Sequence, residues 1–516
     1  MHRKWRWTMP ARSASGCLLP ASGLLLPLSD CLASVAFSLP AGICLTQDDS
    51  CMCDPGNRNW DAECRTADGG DPAVVPGIPV RPRRMPGAGG GDMTDHAIAQ
   101  GQPVPRRRGL FYGWVMVWAG FVVMMVGFGA AYSFPAFFAP LKTEFNVSRG
   151  DTSLVFGIAG FLYFFLGNWS GPAGDRIGPR PVIVFGTIMT ALGLYLAGTA
   201  TRIEQVYWGY GLGVGIGVGC MYVPAIGAVQ RWFAVRRATA SGIAIMGIGV
   251  GTFLAPMVSQ ELIAMMDWRQ AYTVLAGIVL VAGLLGGLIL ENNPAARGLF
   301  PDGADGPPGG AHAGPSMDIR QARQTLPLWM IYFSALFCSI GLFIPFVHLT
   351  PFATDLGLSA KEGVWIFSSI GIGSIVGRAA LGPIAQRFGC RPVVAGLYLG
   401  LAFMFVYWIF ADSLVMLLVF GFFFGALYGG FVALAPTLLT DYYGVAHAGG
   451  ILGFVYSCVG FGALLGPPVA GYMYDITRNY ELPIMIGASL MVVASLVMIL
   501  MPTPRRWRAH TFGETV

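Results

Sequence analysis

The chain of 516 residues is 54% apolar and only 11% charged, less than half the roughly 25% of soluble domains. That balance excludes an ordinary soluble enzyme and a disordered scaffold, and a formal net charge of +5 is too small to argue for a nucleic-acid partner. Among 32 cationic side chains only Lys4, Lys142 and Lys361 are lysines, so nearly every positive charge is a guanidinium.

Residues 1–110 differ from the rest. They hold the Pro/Gly-rich stretch Pro76–Gly91 and six of the ten cysteines, Cys17, Cys31, Cys44, Cys51, Cys53 and Cys64. No histidine sits among these at ligand spacing, and Cys51-x-Cys53 is tighter than the usual two-residue gap of a metal site. The apolar stretch Cys17–Leu45 follows Arg3, Lys4 and Arg6 like a signal peptide, yet Pro20, Pro27, Asp30 and Pro40 interrupt it. The expectation is a disordered N-terminal extension or a mis-called start, with the true start near Met93.

From residue 111 onward apolar runs follow one another, each long enough to cross about 30 Å of hydrocarbon as a helix. Spans are expected near 112–138, 151–170, 181–200, 205–230, 238–264, 270–290, 327–351, 363–384, 392–411, 413–439, 447–471 and 480–501. Backbone polar groups in lipid need internal partners, so these runs are read as helices. The fold class is therefore an all-α polytopic membrane protein with twelve transmembrane helices. They divide into two pseudo-symmetric six-helix halves, 111–290 and 327–501, joined by a polar linker, 291–326, and followed by a tail, 502–516. Counting Arg and Lys in the loops gives sixteen on the side of Arg106–Arg108 and Arg505–Arg508 against six on the other. The positive-inside rule then places both termini and the linker in the cytoplasm of a multi-pass protein of the cell (inner) membrane.

An internal repeat supports the division. Gly171-Pro-Ala-Gly-Asp175-Arg176-Ile-Gly178-Pro-Arg180 lies between spans 2 and 3, and Gly382-Pro-Ile-Ala-Gln386-Arg387-Phe-Gly389-Cys-Arg391 lies 211 residues later, between spans 8 and 9. Gln386 replaces Asp175 in the second copy, so half of any charge latch is absent there. The alternating glycines from Gly209 to Gly219 precede no acidic ribose-binding position and follow no strand, so they are read as two smooth helix faces for close packing, not a dinucleotide loop.

Most ionisable residues of the apolar body sit at span ends. Arg378 alone lies well inside, in span 8, where an unpaired cation costs several kcal/mol unless it faces water, a partner or a ligand. Its planar fork matches a carboxylate bidentately. The alternatives are an inter-helix tether or a snorkelling side chain. Tyr222 in span 4 and Tyr428 in span 10 occupy similar places before Pro224 and Pro436 and could donate to a carboxylate, or could simply pack; Ser374 stands one turn before Arg378. His348 and Asp355 lie near the outer end of span 7, the histidine as a proton shuttle or a packed, hydrogen-bonded side chain, the aspartate as a coupling group or a solvated loop residue. No nucleotide-hydrolysis loop, metal cluster or nucleophile elbow is found, so no enzyme activity and no cofactor are expected.

The repeated Gly-x-x-x-Asp-Arg-x-Gly-x-Arg loop resembles that of the major facilitator superfamily over residues 110–501. The resemblance implies a cytoplasmic gating role for Gly171, Asp175, Arg176, Gly178, Arg180, Arg387 and Arg391. Tyr112-Gly-Trp114-Val-Met-Val-Trp118 and Gly341-Leu-Phe-Ile-Pro345-Phe-Val-His348-Leu-Thr-Pro351-Phe-Ala-Thr-Asp355-Leu-Gly357 resemble the monocarboxylate transporter family, including its bacterial members and the oxalate–formate exchangers. That resemblance implies that Arg378 holds substrate, with Ser374, Tyr222 and Tyr428 around it, and that Asp355 accepts a proton. The chain departs from the family in having Ala136 or a neighbour where animal members place a Lys in span 1, Ser374 where an acid precedes the Arg, and no Lys in span 11. A single buried cation argues for a monoanion. The expected function is secondary transport of a small organic monocarboxylate with a proton, with the lipid bilayer as surroundings. A carboxylate exchanger is the close alternative, and a non-transporting sensor on the same scaffold the distant one. The sequence names no protein partner.

Overall fold

The computed structural model describes residues 111–304, 316–444 and 447–512. The expectations for residues 1–110 lie outside them.

Every regular element among the described residues is helical. In chain order they are α1 (Tyr112–Tyr132), α2 (Phe134–Phe145), α3 (Arg149–Phe165), α4 (Gly167–Ile177), α5 (Pro179–Gly198), α6 (Ile203–Val206), a π-helical stretch Tyr207–Val214, and α7 (Gly215–Trp232). There follow α8 (Arg237–Met265), α9 (Trp268–Ile289), short 3₁₀ turns at Pro294–Arg297 and Pro301–Gly303, α10 (Ile319–Ala322), α11 (Leu326–Leu342) and α12 (Ile344–Asp355). The remainder are α13 (Ala360–Phe388), α14 (Cys390–Ile409), α15 (Leu414–Tyr443), α16 (Ala448–Thr477), α17 (Glu481–Leu500) and α18 (Pro504–Phe512).

Among the described residues, eleven helices or continuing helix pairs are long and apolar enough to cross a membrane, and α3 with α4, bent by 45°, makes a twelfth when counted as one span. Each expected span has a counterpart, but several run further. Span 1 continues to Phe145 and span 7 to Asp355, each through a break. The breaks have one cause. Pro135 and Pro345 lack the N–H that would bond one turn back, and their rings clash with that turn, so α1 yields to α2 at Ser133 and α11 to α12 at Phe343. Ser133 Oγ donates to the Ala130 carbonyl oxygen at 2.8 Å and satisfies one acceptor at the break.

The outer faces are apolar. Ile188, Leu192, Val281, Leu285, Phe403 and Leu496 all point outward, exposed on different helices, which suits hydrocarbon surroundings and not water. Inside, α3 packs along α16, α8 along α1 and α13, and α13 along α15. Glycines permit the closest approaches. In the 209–219 run, Gly209, Gly213 and Gly217 face α5, where a methyl on Gly213 would lie 2.5 Å from the Gly193 Cα. Gly211, Gly215 and Gly219 face α3, with Ile158, Ala159 and Leu166 as neighbours. One glycine run thus serves two partner helices.

Candidate functional site

Arg378 sits on α13 and is only 7% exposed, which excludes a snorkelling side chain. Nη1 donates to Ser374 Oγ at 2.8 Å, one turn earlier on the same helix. Nε and Nη2 have no hydrogen-bond partner, and no carboxylate pairs with the guanidinium among the described residues. Leaving a buried donor unsatisfied costs about 1–3 kcal/mol, and more when it is charged, so these two N–H groups define a position where an acceptor would be stabilised.

Tyrosines surround it. The guanidinium carbon lies 6.0 Å from the ring centre of Tyr428 on α15. Tyr132 at the α1–α2 break, Tyr222 on α7 and Tyr456 on α16 are within electrostatic reach. Tyr132 and Tyr428 share a hydroxyl–hydroxyl bond of 3.2 Å, while the hydroxyls of Tyr163 and Tyr456 have no partner. A cavity of about 20 Å³ lies beside them, lined by Phe128, Phe164, Tyr222, Phe343, Tyr428 and Tyr456. That is room for one water-sized group, so anything larger requires the rings to move. Arg378, Ser374, Tyr222 and Tyr428 are therefore neighbours. Sequence reasoning missed Tyr132 and Tyr163; the only signal for Tyr132 was its place just before the Pro135 break.

A second polar cluster closes the end of the molecule opposite the arginine-rich loops. Arg149, the first residue of α3, donates from Nη1 and Nη2 to the two carboxylate oxygens of Asp355 at 2.7 Å each. The same Nη1 reaches Tyr480 Oη at 2.7 Å, and the guanidinium lies 3.9 Å over the Tyr474 ring. The backbone N–H groups of Arg149 and Gly150 donate to Asp475 of α16, giving the α3 N-terminus a carboxylate cap from another helix. Asp355 meets Arg149 because α12 extends one turn further than the apolar run expected to end near residue 351.

His348 is fully buried behind this latch. Nε2 lies 2.8 Å from the Pro467 carbonyl oxygen, which can only accept, so Nε2 carries the proton. Nδ1, 3.0 Å from Tyr480 Oη, is then the acceptor of that hydroxyl. The assigned network runs Asp355–Arg149–Tyr480–His348 without interruption. It links the two span-7 residues through side chains of α3 and the start of α17 that the sequence did not single out.

The loop repeats share a backbone conformation. Gly178 has φ 90° and Gly389 φ 89°, a region that glycine enters freely and other residues rarely. The arginine two residues later reaches a helix end in both copies: Arg180 Nε donates to the Leu290 carbonyl at 2.9 Å, and Arg391 Nε to the Met498 carbonyl at 3.0 Å. In the first copy Asp175 accepts from Arg231 at 2.6 Å, and Glu291 accepts from Arg180 and Arg297. The Arg297 bond holds the Glu291 carboxyl below its usual range. Gly171 packs against Val223; Arg176 and Arg387 are exposed and make no ion pair among the described residues.

The family model described as Major Facilitator Superfamily matches residues 117–377 and 328–514. "Monocarboxylate transporter 13" of Bos taurus is 27% identical over 403 residues, covering 76% of this chain and 89% of that protein. "Monocarboxylate transporter 3" of Rattus norvegicus is 29% identical over 397 residues, covering 75% and 79%. A crystal structure of a bacterial homologue of the human lysosomal transporter Spinster, inward-facing and unoccupied, superposes with a TM-score of 0.53 at 16% identity, over 75% of this chain and 95% of that one, and shows the shared fold. The chain belongs to the major facilitator superfamily, as a multi-pass membrane transporter related to the monocarboxylate transporters.

Proposed function

We propose that the chain moves a small organic monocarboxylate together with a proton, by alternating access between two six-helix halves, 111–290 and 327–501. The linker 291–326 and both termini are assigned to the cytoplasm of a cell (inner) membrane protein on the strength of the arginine count in the loops. One observation carries the reading: Arg378 is a buried guanidinium with two unpartnered N–H groups and no carboxylate of its own among the described residues. A substrate carboxylate would accept from those donors, with Ser374 orienting the fork and Tyr222 and Tyr428 contributing hydroxyls. The cage otherwise offers rings, which favours an apolar substrate body and gives a second carboxylate no cation to meet.

Asp355 and His348 are assigned to proton coupling. The two-bond pair of Arg149 with Asp355 must part when this end opens, and Asp355 is assigned to take up the proton there. His348, joined to Arg149 through Tyr480, is assigned to relay it. The loop residues Gly171, Asp175, Arg176, Gly178, Arg180, Arg387 and Arg391 are assigned to the gate at the other end.

The test is uptake of labelled mono- and dicarboxylates by the purified full chain in proteoliposomes, with and without an inward proton gradient. Gradient-driven accumulation of monocarboxylate supports the reading. Uptake that needs a counter-carboxylate and ignores the gradient would make it an exchanger, and no carboxylate movement would remove the substrate assignment.

A further inference from the structure

The second loop copy raises a question that the first does not: what balances its arginines. In the first copy Asp175 pairs with Arg231, and Glu291 pairs with Arg180 and Arg297. In the second, Gln386 stands for Asp175, and Asp441 stands 210 residues after Arg231, so the ion pair cannot form. Where Arg180 finds Glu291, Arg391 finds only the backbone carbonyls of Met498 and Ile499. The chain then turns, held by Tyr442 Oη donating to the Pro502 carbonyl at 2.6 Å, and enters α18, whose nine residues carry Arg505, Arg506 and Arg508 with Trp507 and Phe512.

These pieces enclose a cavity of about 750 Å³ lined by Gln386, Arg387, Arg391, Asp441, Arg505 and Arg508 among others. Among the described residues that line it, Asp441 is the one carboxylate beside Arg387, Arg391 and Arg505. Arg387 and Arg505 have no ion pair among the described residues. Phe388 lines the cavity and is 64% exposed, and the neighbouring chain segments carry further exposed apolar side chains, Ile384 one turn before it and Ile499 and Leu500 at the end of α17. A soluble anion would need the arginines but not these apolar side chains. A short basic helix with aromatic residues, following directly on a membrane span, is also the pattern of an element lying in the headgroup layer.

We propose that this cavity binds the phosphodiester headgroup of an anionic phospholipid, with Arg387 and Arg505 on the phosphate and the acyl chains along Phe388, Ile384 and Leu500. The site shares Arg387 and Arg391 with the gating loop but none of the residues around Arg378, and stands independently of the transported substrate. The bound headgroup supplies the negative charge that Asp175 and Glu291 supply in the first copy, and so ties α18 to the loop between α13 and α14.

Native mass spectrometry of the full chain in detergent tests this with added phosphatidylglycerol, phosphatidylcholine or inorganic phosphate. Phosphatidylglycerol is expected to be retained over phosphatidylcholine, with the preference falling roughly 20- to 30-fold in Arg387→Gln/Arg505→Gln and returning in large part in Arg387→Lys/Arg505→Lys. Equal retention of the two lipids, or an unchanged preference in the Gln pair, overturns the proposal. Retention of inorganic phosphate without any lipid preference overturns the lipid as its source. Should the Gln pair not fold, raising the salt on the unaltered chain decides: the preference must collapse, and persistence at high salt overturns the proposal.

Discussion

Replacing Asp355 with Asn removes one charge from the Arg149 latch and leaves its shape. The pair makes two charge-assisted hydrogen bonds of 2.7 Å, with side chains 12% and 35% exposed. A fully exposed pair would contribute at most about 1 kcal/mol, whereas the bidentate geometry and the partly buried arginine raise this to about 1–2 kcal/mol after solvent screening. The closed arrangement should therefore lose roughly 5- to 30-fold in population relative to the open one. Ser153, fully buried behind the latch and bonded to Arg149 and His348, is a suitable reporter. In a background without native cysteines, Ser153→Cys should react with a membrane-impermeant thiol reagent faster by that factor once Asp355→Asn is added. Uptake by the same variant should respond less to a proton gradient while substrate exchange persists. An unchanged reaction rate would show that the ion pair does not set the closed state. An unchanged gradient response would leave Asp355 a latch residue with no share in the proton.

Ser374→Ala removes the acceptor that orients Arg378 and should raise KM about 2- to 10-fold with little change in maximal rate, measured by initial uptake; an effect on rate alone would argue against an orienting role. Gly178→Ala and Gly389→Ala should each cost about 1–3 kcal/mol from the backbone alone, which holds φ near 90° with ψ near 150°, since a methyl on Gly178 meets no neighbour, and a lower Tm in detergent is the readout. Asp302 accepts from the backbone N–H groups of Ala234, Val235 and Arg236, pinning the linker to the start of α8. Burial opposes its ionisation, but these three donors prevail and hold its carboxyl below the usual range. Because the folded-state pKa is depressed, that anchor is fully present above the ordinary Asp value and lost as pH falls through the depressed one. Amide-exchange protection at residues 234–236 should therefore persist at neutral pH and through the ordinary Asp range near pH 4, and fail only at lower pH, and Asp302→Ala should lose it at every pH.

The helical fold was legible because lipid leaves apolar runs of about 20 residues few other solutions, and the loop repeat was legible because Gly178 and Gly389 are needed for their backbone angles. The helix ends were less so: hydropathy stops where polar residues begin, yet α2 carries on through Lys142 and Glu144 and α12 through Asp355. Arg378 stood out as a charge in an apolar run. Part of its company was legible too, in Tyr222, Tyr428 and, more weakly, Tyr456; Tyr132 and Tyr163 read as ordinary aromatic residues until the helices bring their hydroxyls inward. Arg149 looked like one more loop cation; its contact with Asp355 spans 206 positions, and no local pattern encodes it.

Carboxylate binding at Arg378 is the central claim, and equilibrium titration of the purified full chain with a monocarboxylate measures it without relying on transport. Two charge-assisted bonds to the unpartnered N–H groups should contribute about 1.5–3 kcal/mol, so Arg378→Lys, which keeps the charge and loses the fork, should weaken Kd about 10- to 150-fold. Arg378→Ala should abolish saturable binding altogether. An Ala variant that folds, reaches the membrane and binds monocarboxylate at near-normal affinity would contradict the account and leave Arg378 a structural residue.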